Sequence, residues 1–150
     1  MKLNRIETRM LASLYSDQPH PTIFIDGEPL DALLHRHYPE GLYEGLVPVI
    51  VDWLNMPNEQ AFVRGKLLTR KQLDIVPLLM CPDDCDLSCT IIAAEIERSS
   101  ETVTWRMGKP VGNPNEWMAG IEPTMEWLDL VPSMRFDPVA HDAAMSGLLD

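Results

Sequence analysis

Thr102 to Met107 alternates without a break, with Val103, Trp105 and Met107 against Thr102, Thr104 and Arg106. Six residues of strict period two can bury one face only as a β-strand, so Trp105 is expected to face a hydrophobic layer. Two apolar segments precede it. Ile75–Met80 is short and continuous, the mark of a buried strand, and Ser88–Glu97 places Ile92, Ala94 and Ile96 on one face. Arg98-Ser99-Ser100-Glu101 can turn the chain between them, so residues 88–107 read as an antiparallel hairpin.

The flanking segments bring helices. Leu3, Ile6, Met10, Leu11 and Leu14 stand at helical spacing, which predicts an opening amphipathic helix over residues 2–15. Residues 16–21, rich in proline, end it. Thr22–Ile25 reads as a short strand followed by an Asp26-Gly27 turn, and Leu30–His37 as a short helix. Leu46–Trp53 is strand or apolar helix, with Pro48 arguing against a central strand. Asn58 can cap a helix running to about Arg70. Residues 108–114 read as a loop, and 115–135 stay open between strand and helix. Asp137-Pro138 is a helix start, a capping carboxylate followed by proline in the first turn, leading into Val139–Leu149. The expected architecture is therefore α+β: one domain over residues 1–150, an antiparallel sheet packed with helices.

Charge narrows the partners. Twelve basic against 23 acidic residues leave a net charge of −11, and beyond Pro110 the one basic side chain is Arg135. Such a field repels nucleic acid and anionic membranes and draws in cationic partners. Apolar runs are far shorter than the roughly 20 residues a membrane helix needs. No apolar core of a secretory signal stands near Met1, and three cysteines do not make a disulfide framework. A cytoplasmic location is expected.

Candidate chemistry is sparse. Cys81, Cys85 and Cys89 are spaced too widely along strand and turn to converge on one metal, and no fourth ligand is near, so no metal or cofactor is expected and buried thiols are favoured. Asp83, Asp84 and Asp86 could serve as an acid–base or cation site, although carboxylates in such a turn more simply bond their own backbone. His35 and His37 do not share a face on a helix. No nucleophile elbow or phosphate loop is present, so no catalytic residue is assigned. Trp53, Trp105, Trp117 and Trp127 read first as core residues.

Val76-Pro77-Leu78-Leu79-Met80-Cys81-Pro82-Asp83-Asp84, Ser88-Cys89-Thr90-Ile91-Ile92 and Thr102–Gly108 together resemble a group of small bacterial immunity proteins that accompany polymorphic toxins, including those of contact-dependent growth inhibition. The resemblance covers about residues 46–108. It implies a small, non-catalytic cytosolic protein that binds and neutralises a cognate toxin domain by occluding it. Many such toxins are basic nucleases, which an acidic surface would complement. The expected contacts are Glu116, Glu122, Glu126 and Asp129, with Trp117 and Trp127 as apolar anchors if exposed. Two alternatives stand beside it: a small enzyme built on the Asp83/Asp84/Asp86 turn, and a non-catalytic adaptor or oligomerisation domain using the tryptophan-rich C-terminal region.

Overall fold

The computed structural model describes every residue except Met1, Leu14, Tyr15, Asp84, Cys89 and Asp150, leaving aside also the side chains of residues 13 and 16–18. Two antiparallel sheets and four helices share a continuous hydrophobic core. The α+β architecture is as the residue patterns require.

The larger sheet runs in the order β4 (Val47–Pro48), β5 (Leu73–Met80), β6 (Ile91–Arg98), β7 (Val103–Val111), β8 (Thr124–Trp127), with β9 (Met134–Phe136) also on β7. Its register follows from alternation. Ile96 pairs with Trp105, Ala94 with Met107 and Val76 with Ala94, while Met134 and Phe136 oppose Trp105 and Val103. All of these side chains lie on one face and all are buried. Glu95, Glu97, Arg106 and Arg135 occupy the other face, which stays half open to solvent. Pro48 sits at the edge of the sheet, where a missing N–H is tolerated.

The first element departs from expectation. Residues 2–15 do not open with a helix: Ile6–Ser13 is strand β1, paired with β2 (Ser16–Ile25) and, through β2, with the short β3 (Glu28–Pro29). The helical spacing of Leu3, Met10 and Leu11 misleads because all three are exposed. The burial that counts has period two: Ile6 enters the core and Thr8 bonds the Ala144 carbonyl at 2.7 Å. Leu14, the last residue of that pattern, lies outside the described residues. Asp26 (φ 52°) and Gly27 (φ 86°) make the turn with two left-handed residues, the geometry that suits a two-residue hairpin.

Helix α1 (Leu30–His37) has the expected bounds. Helix α2 (Pro57–Leu67) starts two residues earlier than a cap at Asn58 would place it and ends at Leu67, short of Arg70: Met56 takes the cap position, Pro57 the first helical one, and the Asn58 amide turns toward the Met118 sulfur. Residues 108–111 are not a loop but the end of β7, because β8 supplies a partner that no local pattern announces. Gly108 is required there. A Cβ would lie 2.9 Å from both Met125 and Trp127 side chains, which pack across the bare backbone. The open stretch 115–135 resolves into α3 (Pro114–Met118), β8 and β9. Helix α4 (Pro138–Gly147) starts as expected, with the Asp137 carboxylate accepting from the Ala140 N–H at 3.0 Å.

Candidate protein-interaction surface

Glycines at 41 and 45 bracket a short loop after α1, and Tyr43 between them is buried. Gly41 closes a turn onto the Tyr38 carbonyl and leaves no room for a side chain, since a Cβ would meet the Tyr43 ring at 2.4 Å. The Asp31 carboxylate accepts from the Gly45 N–H at 2.9 Å and anchors the far end. Held at both ends, the loop puts Leu42 in the left-handed region (φ 60°) with 85% of its surface exposed. A leucine is strained there by roughly 1–2 kcal/mol and gains no burial in return.

This loop abuts β8 and the turn after it. The Leu130 N–H donates to the Tyr38 hydroxyl at 2.8 Å, and the Lys109 ammonium lies 5.9 Å from the Tyr43 ring. Burial, with Glu126 nearby, pushes the Tyr43 phenol above its ordinary range. Leu130 is itself 64% exposed, and a cavity of about 290 Å³ opens between it, Tyr38, Pro39 and Gly41. Glu40, Glu44, Glu126 and Asp129 are exposed in the same two segments. The two adjoining segments thus carry two exposed leucines and four exposed carboxylates.

The six residues expected to make contacts are divided by the fold. Glu126, Trp127 and Asp129 belong to the surface. Glu116 is exposed on α3, and Glu122 lines a separate cavity with Lys66, Lys71 and Leu73. Trp117 is not an exposed anchor: it is 6% exposed and packs edge-on against Phe62, ring centres 5.2 Å apart. Trp127 is half-buried, with the Arg106 guanidinium 3.9 Å above its ring and Asp129 holding that guanidinium at 3.2 Å. The C-terminal acidic stretch, nearly free of bases in sequence, therefore meets bases in space: Arg106 at Asp129, Lys109 opposite Glu126, Lys66 and Lys71 near Glu122. Sequence reasoning missed Glu40, Leu42, Glu44 and Leu130. A lone leucine between turn glycines at 41 and 45 was the available signal.

Other candidates fall elsewhere. Asp86 accepts from the Ser88 N–H (2.9 Å) and hydroxyl (2.6 Å), the turn chemistry weighed against an acid–base role; Asp83 is exposed, and Asp84 lies outside the described residues. Cys81 is disulfide-bonded, against the expectation of a thiol, while the Cys85 thiol donates to the Pro82 carbonyl at 3.1 Å and Cys89 lies outside the described residues. His35 pairs with Glu44 at 3.2 Å. Among the described residues, no three His, Cys, Asp or Glu side chains gather as a metal would need, and no helix is long and apolar enough to cross a membrane.

His141, 2% exposed, carries the one buried imidazole–carboxylate pair among the described residues. The Trp105 indole N–H donates to His141 Nε2 at 3.0 Å, which forces the proton onto Nδ1, and Nδ1–H donates to Asp142 Oδ1 at 3.0 Å. Burial pushes the imidazole below its ordinary range despite the neighbouring carboxylate. Both imidazole nitrogens are therefore engaged, Nε2 inside the core and Nδ1 at Asp142, and the ring ties β7 to α4.

Stability and exposure at Leu42 can be separated. Leu42→Gly relieves the left-handed strain and should raise the unfolding free energy by about 0.5–1 kcal/mol, read by urea denaturation. A loss of stability would show that the Leu42 side chain packs against the fold.

The fold and this surface define an α+β protein with exposed apolar and acidic side chains on adjoining segments. No family model matches the chain, and neither a curated protein nor a solved structure matches it.

Proposed function

We propose that this chain is an immunity protein that binds a cognate, basic toxin domain and neutralises it by occlusion, without turning over substrate. The observation that carries the reading is the exposure of Leu42 and Leu130, together with Glu40, Glu44, Glu126 and Asp129, on two segments joined by the Leu130–Tyr38 hydrogen bond, on a chain of net charge −11. Apolar anchors inside a charged rim are what a specific protein interface uses: the anchors supply affinity, the rim speeds encounter and rejects wrong partners. The resemblance over residues 46–108 supports the same reading. In this reading the site of action is the bacterial cytosol.

Co-expression with the product of the adjacent toxin gene tests the reading: rescue of growth is expected, and equal killing with and without this protein overturns it. Glu40→Lys with Glu126→Gln should slow association about fivefold or more at low ionic strength and flatten its salt dependence, with the melting temperature unchanged. An unaltered association rate would remove this surface from the interface.

A further inference from the structure

A second cavity, of about 150 Å³, lies between β2, the 3₁₀ turn Val51–Trp53 and the end of α4, lined among others by Pro19, His20, Pro21, Asp52, Trp53 and Leu149. We propose that it binds an organic cation, an alkylguanidinium or alkylammonium group, with His20 Nε2 as the buried acceptor. The residues that line it include a carboxylate, an indole and an imidazole but no lysine or arginine. His20 is 3% exposed, and its Nδ1 lies 3.0 Å from the Pro21 carbonyl oxygen. A carbonyl only accepts, so Nδ1 carries the proton, with the Thr22 hydroxyl 3.2 Å away on the same side. That leaves a lone pair on Nε2, which is buried and has no hydrogen-bond partner among the described residues. Buried acceptors are almost always paired, so this one calls for a donor from outside the chain.

The neighbours decide what kind of donor. The Trp53 ring is T-shaped to His20, ring centres 5.4 Å apart, and lines the same cavity, to which Asp52 brings a negative charge. An N–H-bearing cation satisfies all three at once: hydrogen bond to Nε2, ion pair with Asp52, and cation–π contact with Trp53. Its alkyl stem would lie along the prolines and Leu149. A neutral amide would use only the first of these contacts. A transition metal would find too few ligands, as no group of three or more His, Cys, Asp or Glu assembles among the described residues. This site does not depend on the toxin reading and lies on other elements than the Leu42–Leu130 surface.

The test uses the full chain labelled with ¹⁵N. Long-range ¹⁵N–¹H spectra near pH 7.5 should show His20 protonated on Nδ1; a proton on Nε2, turned toward the Trp53 ring, would overturn the proposal. Titration with butylguanidinium should then give saturable shifts at His20 Nε2 and the Trp53 indole, with no matching response to neutral butylurea. Asp52→Asn should weaken binding about tenfold and Trp53→Leu about threefold, with spectra elsewhere unchanged. No saturation by about 100 mM, or equal affinity for butylurea, would overturn it. A blocked Gly-Arg-Gly peptide distinguishes the sources: binding as tight as butylguanidinium assigns the pocket to a partner's arginine, and binding of butylguanidinium alone assigns it to a free small cation.

Discussion

Trp105→Ala should lower the unfolding free energy by about 5 kcal/mol, measured by urea denaturation. Deleting a fully buried large aromatic costs about 3–5 kcal/mol through lost transfer energy and the cavity left behind. Trp105 is completely buried, edge-on to Phe136 at 4.9 Å and to His141 at 5.7 Å. Its loss also strips His141 Nε2 of its donor, and an orphaned buried acceptor adds roughly 1–3 kcal/mol. Such a loss is comparable to the whole stability of a small domain, so Trp105→Phe provides the milder companion. Phenylalanine keeps most of the volume but not the N–H, and should cost about 2 kcal/mol. A loss under about 1 kcal/mol for the alanine variant would mean that the ring is not in the core.

Asp142→Ala should cost about 3 kcal/mol. Asp142 accepts from the Arg98 guanidinium at 2.9 and 3.2 Å and from His141 Nδ1–H at 3.0 Å, with Arg70 at 3.8 Å completing the cluster. Arg98 is largely buried, so removing its partner strands a charge as well as a hydrogen-bond donor. The cluster also gives stability its pH dependence. Burial holds the folded His141 below its unfolded pKa of about 6.5, so the unfolded chain takes up that proton first. Its contribution is complete above pH 6.5 and is lost as pH falls through the depressed folded value. Burial would raise Asp142, but the Arg98 and His141 hydrogen bonds outweigh it and hold the carboxyl below its ordinary 3.8. Its share is therefore lost in a second window, below about pH 3.8. His141→Gln should abolish the first loss and leave most of the second. Unfolding curves flat between pH 7 and 5 in the parent protein would contradict the neutral, buried imidazole.

Where the signal was local, the residues alone determined the structure. Strict alternation from Val103 to Met107 set the face of Trp105, because a strand one residue out of register would bury Thr104 and Arg106. Asp137-Pro138 set the start of α4, because a capping carboxylate and a proline act within a single turn. Leu30–His37 also carried its own bounds, here through the stop at Tyr38-Pro39, where the residue before a proline leaves the helical region. Tertiary structure decided everything that needed a distant partner. Ile6–Ser13 became a strand because β2 pairs with it, overriding a helical spacing of leucines and methionine that never reach the core. Residues 108–111 continued β7 because β8 arrived from further along the chain to pair with it, from Gly108 and Trp127 to Val111 and Thr124. The candidate site followed the same division. Net charge was legible in composition, but which carboxylates remain available was not: Arg106 and Lys109 reach the acidic stretch across strands. Trp117 and Trp127 look alike in sequence, yet one is packed on Phe62 and the other lies half-buried under a guanidinium. Exposure of Leu42 depends on a loop pinned by Asp31 and Tyr43, and Leu130, bonded to Tyr38 ahead of that loop, comes from far along the chain. Burial and charge pairing are properties of neighbours in space, and only folding brings those neighbours together.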